Sequence, residues 1–472
     1  MNKFYLTTAI PYVNAAPHVG HALEFVQADA IKRTRVLLGD DVLLLSGSDE
    51  NALKNVQAAE KAGKKIQEFV DENSKLFEDL AQKLNIKFDV FQKGSNPDHL
   101  TSSQKLWELC DKNGDIYKKE YSGLYCVGCE AFYEPEELNE NGECFEHPGK
   151  KLEEVKETNY FFKLSKYESQ IKNLIESDTL KITPQSRKNE VLGFLKQGLK
   201  DISISRSNER AKNWGVPVPN DPSQRMYVWF DALNIYQSGI GFGLDENEYN
   251  KWWPADVHVI GKGIIKFHAI YWPAFLISAG LKLPKSLFVH GYFTVDGQKM
   301  SKTIGNVIDP IYLIDKYGAD AIRYYFLSEI PPTGDGDFSE SRLKEIYNSN
   351  LANGLGNLVA RVAKLAEKVN LKIEKKESGF SPEIKEKLED YKFNEALGLI
   401  WEKIGEADKK INQDEPWKLE GKELEDKLQG YASYIIYAAN NLAPFMPETS
   451  EKILSQFTGE VKSGESLFPR LS

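Results

Sequence analysis

The sequence is poor in cysteine, with only 4 in 472 residues. Four cysteines are too few for a disulfide framework in a chain of this length, so hydrophobic cores must stabilise the fold. The 41% of hydrophobic residues are enough to form such cores. Three cysteines lie close together beside a histidine, as Cys126, Cys129, Cys144 and His147. In a reducing compartment this cluster indicates metal ligation rather than disulfide bonding. Cys110 is expected to be an inert core residue.

Long apolar runs and an N-terminal leader are also missing. Even residues 269–283 fall short of the roughly 18 to 20 residues that a bilayer crossing requires, and Pro273 interrupts them. The N-terminus runs into a strand-like segment without a charged leader, a long apolar region or a cleavage site. We therefore expect a cytoplasmic protein with no membrane partner.

The chain has no excess of positive charge, since 60 Lys and Arg stand against 70 Asp and Glu. The net charge of −10 does not attract a polyanion, so any nucleic acid must be bound by local basic contacts. A Walker P-loop and a Gly-x-Gly-x-x-Gly turn are both absent, which disfavours Walker-type NTPases and dinucleotide dehydrogenases.

A strand–helix–strand unit opens the chain. Residues 4–10 have the β-branched and aromatic content of a buried strand, and residues 11–17 read as a loop. Apolar residues recur at helical spacing over residues 18–38, Gly39 is a natural C-terminal cap, and residues 41–45 form the next strand.

A second strand–helix unit over residues 257–261 and 264–279, with a third strand near 287–290, predicts that the nucleotide fold resumes after an insertion. Beyond about residue 338 helical periodicity takes over, with an apolar stripe that includes Leu351 and Val362. We predict an α/β protein in four parts: a first catalytic half at 1–114, an insertion with a zinc knuckle at 115–225, a second catalytic half at 226–337 and a helical domain at 338–472.

The first motif with chemistry is His18-x-Gly20-His21, placed where the first strand hands over to the first helix. A helix N-terminus offers free N–H groups and partial positive charge to phosphate, Gly20 lets an adenine approach the backbone, and both imidazoles can donate to phosphate oxygens. The alternatives are a pair of helix-capping histidines or part of a metal site.

The second motif is a turn with two lysines and hydroxyls, which includes Lys299, Ser301 and Lys302. Two ammonium groups on a loop can follow a triphosphate and neutralise departing pyrophosphate. Alone, such a turn is usually solvated surface.

Together, and in this order, the two motifs resemble the HIGH and KMSKS signatures of class I aminoacyl-tRNA synthetases. Six segments are similar to methionyl-tRNA synthetases in particular: FYLTT at 4–8, GSDE at 47–50, NYFFKLSKY at 159–167, YVWFDAL at 227–233, FHAIYWPA at 267–274 and KMSKTIGNV at 299–307. The resemblance implies a Rossmann-type nucleotide fold, an anticodon-binding helical domain, and a monomer that uses ATP with Mg²⁺, L-methionine and tRNA(Met).

The resemblance also assigns site residues. It implies catalysis by His18, His21, Lys299 and Lys302, with Gly20 and Ser301 as further ATP contacts. It implies a methionine pocket and an anticodon contact made by these residues: Ile10, Tyr12, Asp49, Trp229, Tyr236 and His268 for methionine, and Asn350 and Trp417 for the anticodon. From the residues alone, any single aromatic is more often core, and Trp417 could be half-buried after Pro416.

The cysteine cluster can close a tetrahedral shell of three sulfurs and one nitrogen, which favours one structural zinc ion over a catalytic one because no position is left for water. The knuckle resembles the one in the family. Three positions depart from the family: Asn51 stands where His is usual, Gly263 where Asp is common, and Thr303 where Ser is usual.

The rival functions are another class I synthetase, an HxGH-type adenylyltransferase, and a tRNA-binding or zinc-module protein without catalysis. Pyrophosphate exchange with each amino acid would separate the first two, and the presence of both cationic motifs argues against the third.

Overall fold

The structure is a computed structural model, and it describes residues 2–129, 131–133, 135–146, 149–300, 305–374 and 380–471. Its strands, in chain order, are β1 (Lys3–Thr7), β2 (Asp41–Ser48), β3 (Val90–Lys93), β4 (Ile116–Cys126), β5 (Ala131–Tyr133), β6 (Glu153–Phe162), β7 (Lys181–Thr183), β8 (Ile202–Ser203), β9 (Ser205–Ser207), β10 (Pro217–Val218), β11 (Asp221–Met226), β12 (Val257–Gly261), β13 (Ser286–His290), β14 (Phe293–Val295), β15 (Gln298–Lys299), β16 (Gly336–Phe338), β17 (Lys372–Ile373) and β18 (Gly459–Glu460).

Its α-helices, in chain order, are α1 (Val19–Leu37), α2 (Leu53–Ala62), α3 (Ile66–Lys83), α4 (Pro97–Lys112), α5 (Glu168–Glu176), α6 (Gln185–Lys196), α7 (Val228–Ala232), α8 (Ile235–Ser238), α9 (Glu246–Trp252), α10 (Trp272–Ser278), α11 (Pro310–Tyr317), α12 (Ala319–Ser328), α13 (Glu340–Ile346), α14 (Asn357–Lys368), α15 (Pro382–Glu389), α16 (Phe393–Asp414), α17 (Gly421–Leu442) and α18 (Pro447–Gln456). Short 3₁₀ turns lie at 135–137, 164–167, 262–264 and 416–418, and π-helical segments at Phe267–Tyr271 and Tyr347–Gly356.

A six-stranded parallel sheet in the order β3-β2-β1-β12-β13-β7 forms the centre of the nucleotide fold. Strands β1 and β12 are buried on both faces, as expected for parallel strands covered by helices. The strand order reverses between β1 and β12, and such a reversal opens a crevice at the carboxyl edge of a parallel sheet. This edge is where a nucleotide site is expected.

The predicted strands and the first helix are confirmed with shifts of a few residues at their ends. The helix predicted over residues 264–279 is irregular, since a 3₁₀ turn and the π-helical segment Phe267–Tyr271 precede α10. Pro273 has no N–H to donate to a preceding carbonyl, so the regular α-helical hydrogen-bond ladder is interrupted there.

The insertion predicted at 115–225 is not separate from the nucleotide fold along its whole length. Its long strands β4 and β6 form an antiparallel ribbon, but β7 pairs with β13 at the edge of the central sheet. A three-residue strand buries too little apolar surface to fold alone, so its place is decided by its partner.

The helical region packs directly against the nucleotide fold. The predicted stripe is buried from Leu351 to Val362, and hydrophobic contacts run from α1 and α12 into α13–α18 without a break. Arg323 on α12 is fully buried: it pairs with Asp29 of α1 at 2.7 Å and donates to the carbonyls of Pro444 and Phe445 at 2.9 and 2.7 Å. Within the described residues, no helix combines the length and apolarity that a membrane crossing requires.

Candidate active site

His18 is the N-terminal cap of α1, at the crevice edge of the sheet. Its Nδ1 accepts from the backbone N–H of Gly20 at 3.1 Å, and its own backbone N–H donates to Nδ1 of His21 at 3.1 Å. The two rings stack with their centroids 3.9 Å apart. Because Nδ1 accepts in each ring, a neutral ring carries its proton on Nε2. The helix start therefore presents two imidazole N–H donors beside its own positive dipole end.

The buried setting of His21 favours its neutral form. Burial, together with the nearby His18 and His290, lowers the pKa of His21 well below the usual histidine value. Gly20 is required for this packing, since a Cβ there would lie 2.9 Å from Cε1 of His18. The motif thus offers directed hydrogen bonds to a phosphate rather than two positive charges.

Trp229 on α7 lies in an aromatic cluster near the same crevice. Its ring meets Tyr12 edge-on at 6.3 Å between centroids and lies 6.5 Å from His268. Phe267, which the sequence analysis missed, stacks flat on Trp229 at 3.7 Å. Phe267 was visible as an aromatic beside His268, but its direction depends on the π-helical segment, which periodicity did not predict.

Tyr236 and His268 form a buried polar pair in this cluster. The Tyr236 hydroxyl lies 2.7 Å from Nε2 of His268, and Nδ1 of His268 lies 3.0 Å from the carbonyl of Ile264. A carbonyl only accepts, so Nδ1 carries the proton and Nε2 accepts from Tyr236. Burial lowers the pKa of His268 to about 4 and raises that of Tyr236. Both groups are therefore neutral, which suits the wall of an apolar pocket, and Ile10 packs against the same core.

Asp49 is buried directly after β2, and the chain passes close to Tyr12 there. Its backbone N–H donates to the Pro11 carbonyl at 2.9 Å, and residues 12 and 49 form a parallel bridge. The arrangement places a carboxylate beside the aromatic cluster, where it can pair with an ammonium group.

Two of the departures from the family have structural partners. The Asn51 amide donates to Asp231 on α7 at 2.6 Å and to the Gly94 carbonyl at 2.8 Å, so it connects the Asp49 segment to the helix of Trp229. At Gly263 a Cβ would lie 1.9 Å from the Tyr292 hydroxyl, so a larger residue would require Tyr292 to move.

Lys54 connects the aromatic cluster to the knuckle, a contact that the sequence did not suggest. Its Nζ lies 2.9 Å from the centroid of the Tyr12 ring and donates to the Gly128 carbonyl at 3.3 Å. Beside it, the Trp229 indole N–H donates to the Cys129 carbonyl at 3.4 Å. The knuckle backbone therefore covers one side of the cluster.

The three knuckle cysteines converge as a possible metal site. Cys144 Sγ lies 3.3 Å from Cys126 Sγ and 3.6 Å from Cys129 Sγ, and all three sulfurs lie within 4.8 Å of one another. The Tyr133 hydroxyl donates to Cys129 Sγ at 3.1 Å. The predicted fourth ligand, His147, lies outside the described residues. Three soft sulfur donors at these distances fit a zinc ion.

The lysine turn begins near the histidine motif. Strand β13 ends at His290, whose Nε2 lies 2.9 Å from Oε2 of Glu24 on α1, and β14 follows three residues later. Lys299 pairs with Thr294 in the β14–β15 hairpin. Ser301 and Lys302 lie outside the described residues. The base of the loop and the start of α1 thus meet at one crevice.

The two anticodon candidates lie in the helical region. Asn350, in the π-helical segment that leads into α14, donates to the Tyr324 hydroxyl at 3.0 Å. Trp417 is 52% exposed, and the Arg361 guanidinium of α14 lies 5.8 Å from its ring centroid. Both candidates therefore border one continuous helix, far in sequence from the histidine motif.

Comparison with known proteins places this geometry in a family. Residues 4–363 match the family model described as tRNA synthetases class I (M). The chain is 42% identical to the methionine–tRNA ligase of Thermotoga maritima, over 98% of this chain and 76% of that protein, and 42% identical to that of a Nostoc species, over 96% and 89%.

Solved structures agree. The Mycobacterium tuberculosis methionyl-tRNA synthetase in complex with methionyl-adenylate superposes with a TM-score of 0.93 at 36% identity over all of both chains. The free form of that enzyme gives a TM-score of 0.85 at 33% identity, over all of this chain and 99% of that one. Taken with the nucleotide crevice and its two signature motifs, these matches show that the chain belongs to the methionyl-tRNA synthetase family of class I.

Proposed function

We propose that the chain is an ATP-dependent methionine–tRNA ligase. It activates L-methionine to methionyl-adenylate with release of pyrophosphate, then transfers methionine to the 3′-terminal ribose of tRNA(Met), initiator and elongator. The observation that carries this proposal is the stacked pair of His18 and His21 at the start of α1, together with the aromatic cluster around Trp229.

In the first step a carboxylate oxygen of methionine attacks the α-phosphorus, and the bond to the pyrophosphate oxygen breaks. The Nε2–H groups of His18 and His21 donate to phosphate oxygens as their charge grows, which stabilises the transition state more than the ground state. In this proposal Lys299 and Lys302 neutralise the departing pyrophosphate, and Gly20 and Ser301 complete the ATP contacts.

Methionine is bound at both of its ends, the ammonium group and the thioether. Asp49 pairs with the ammonium group, and the thioether lies among Ile10, Tyr12, Trp229, Tyr236 and His268. A neutral His268, hydrogen-bonded to Tyr236, keeps this wall uncharged, and aromatic rings favour a polarizable sulfur. In the second step the terminal ribose hydroxyl attacks the adenylate carbonyl and AMP leaves.

Two metals belong to the proposal. One structural zinc ion is held by Cys126, Cys129, Cys144 and His147, and the Tyr133 hydroxyl bond to Cys129 supports that ligand set from outside. Mg²⁺ enters with ATP and is held mainly by the phosphates.

The tRNA is recognised in the helical region, proposed as the anticodon-binding domain at 338–472. The exposed Trp417 ring can stack on an unpaired base, and Asn350 can hydrogen-bond to a base edge. The domain bounds 1–114, 115–225 and 226–337, the monomeric state and the cytoplasmic location stay predictions.

The deciding experiment is ATP–pyrophosphate exchange with each of the standard amino acids. Methionine should support exchange far above all others, and equal exchange with another amino acid would overturn the proposal. Lys302→Ala should lower methionine-dependent exchange sharply while tRNA binding persists, so an unchanged rate would remove Lys302 from the mechanism. Metal analysis should find about one zinc per chain, and a folded, zinc-replete Cys129→Ser protein would exclude this ligand set.

A further inference from the structure

A buried acid–histidine contact joins the two motif-bearing elements. Oε1 of Glu24 on α1 accepts from the backbone N–H of Ala9 at 2.8 Å, and Oε2 lies 2.9 Å from Nε2 of His290 at the end of β13. Nδ1 of His290 lies 2.8 Å from the Gly291 carbonyl. Both side chains are buried, so each of these contacts is made away from bulk water.

The hydrogen-bond directions limit where the proton can be. A carbonyl only accepts, so His290 carries a proton on Nδ1. The contact between Nε2 and Glu24 then needs one more proton. If the proton is on Nε2, the ring is an imidazolium beside a carboxylate; if it is on Glu24, the ring is neutral beside a carboxylic acid. The two carboxyl oxygens are both occupied by contacts, with Oε1 already accepting from Ala9. An ionised carboxylate accepts both bonds at full strength, which favours the imidazolium.

The position of His290 gives this charge a role. Glu24 lies one helical turn after His21, on the face of α1 that meets the sheet. His290 is close enough to His21 to help lower the pKa of that imidazole. On its other side, a Cβ on Gly261 at the end of β12 would lie 3.5 Å from the His290 ring. Its ring therefore lies between the helix that starts with the histidine motif and the strand ends of the crevice.

We propose that Glu24 and His290 form a carboxylate–imidazolium pair that positions the histidine motif against the base of the lysine loop for adenylate formation. The inference rests on the proposed function and adds two positioning residues to it. The pair fixes the second turn of α1, directly after the histidine motif, to the end of β13. The phosphate donors and the base of the lysine turn are therefore held in a fixed relative position. Its cationic ring adds a fixed positive charge behind the neutral His21, where phosphate charge develops.

Glu24→Gln tests the charge without removing a hydrogen bond. In this variant Oε1 still accepts from Ala9, the new amide donates to Nε2 of a neutral His290, and Nδ1–H still donates to Gly291. Every contact survives, but the ring loses its positive charge. We expect the exchange rate at saturating substrates to fall about tenfold and KM for ATP to rise, while KM for methionine stays within about twofold. The melting temperature should change by no more than a few degrees.

Lys32→Gln is the matched control. Lys32 lies on the same helix and makes a 2.7 Å ion pair with Asp89, away from the histidines. It should keep wild-type exchange. A Glu24→Gln protein with wild-type kinetics would overturn the proposal, because the hydrogen bonds alone would then suffice.

A second readout does not depend on catalysis. The chain has 7 histidines, so ring nitrogen NMR of histidine-labelled protein is tractable, and His290→Gln assigns the signal by its loss. Both ring nitrogens of His290 should be protonated in the wild type, as its two hydrogen bonds imply, and Nε2 should be unprotonated in Glu24→Gln. An unprotonated Nε2 in the wild type would place the proton on Glu24 and reject the imidazolium. If wild-type exchange with methionine were absent, the proposed function would fail while this spectrum still decided the protonation state.

Discussion

The proposed methionine pocket and the proposed anticodon surface each contain a tryptophan, but in opposite settings. Trp229 is 8% exposed and stacked on Phe267, whereas Trp417 is 52% exposed beside Arg361. A small apolar substrate needs a wall that is already desolvated, while a nucleic acid base needs an open ring to stack on. Substitutions in the pocket should therefore change both the stability of the protein and its affinity for methionine. Substitutions on the exposed surface should change only the aminoacylation of tRNA.

The strongest test of this contrast is Trp229→Ala. It removes the Phe267 stack and the centre of the pocket, so we expect a loss of about 4 kcal/mol in unfolding free energy and a rise of at least about 100-fold in KM for methionine. Urea unfolding and pyrophosphate exchange measure the two effects. Trp229→Phe should recover most of the stability, and a normal KM in Trp229→Ala would separate this residue from the pocket.

Acid should weaken the pocket before it affects the helical surface. Burial holds the pKa of His268 at about 4 in the folded protein, below the unfolded value of about 6.5, so the folded state binds fewer protons. This contribution to stability is complete above pH 6.5 and is lost as pH falls towards 4, by about 3 kcal/mol. Urea unfolding over this range should show the slope, and His268→Gln should reduce it by the His268 contribution, while the buried His21 still adds a slope of the same sign. An equal slope in both proteins would contradict the assignment.

Trp417→Ala should separate the two steps of the reaction. Loss of one base stack should lower kcat/KM for tRNA aminoacylation about 30-fold, while methionine-dependent exchange stays within twofold. Stability should change by less than about 0.5 kcal/mol, because the side chain is half exposed. Leu244→Ala, at a comparably exposed apolar residue, serves as the control and should leave aminoacylation unchanged. A fall in exchange with Trp417→Ala would show that the two regions are not separate in this sense.

The smallest effect is expected at Asn51. Asn51→Ala leaves the buried Asp231 carboxylate without its amide donor and loosens the link between Asp49 and Trp229. KM for methionine should rise about fivefold, with little change in KM for ATP. Asn51→His, which introduces the residue usual in the family, should retain more activity than Asn51→Ala. An equal rise for both substrates would indicate general loosening instead.

Local patterns predicted the parts of this fold that are set locally. The first strand, the helix from 18 to 38 and the strand at 257–261 were visible because each carries its own periodicity and end signals. Strand β7 was not, since its place depends on β13, which is distant in the chain. The π-helical turn at Phe267–Tyr271 was hidden for a different reason, because hydrophobic spacing does not distinguish a widened helix from a regular one.

The site divides in the same way. The histidine motif could be assigned to a helix start because its function follows from backbone geometry that the sequence predicts. The Lys54 contact with Tyr12, the Phe267 stack and the Asn51–Asp231 bond all join segments far apart in sequence. Asn51 was visible as a departure from the family, but only the fold supplies its partner.

The buried Arg323 guanidinium has a consequence for how the molecule unfolds. Its bonds connect α1, which carries the histidine motif, to the chain that enters α18. Separating the two regions would take from this buried guanidinium its two carbonyl acceptors, those of Pro444 and Phe445, and donors left unpaired in a buried setting are strongly unfavourable. Heating should therefore melt the nucleotide fold and the helical bundle in one calorimetric transition. The same contact fixes the distance between the histidine motif and the anticodon candidates, which is the distance that a bound tRNA would have to span.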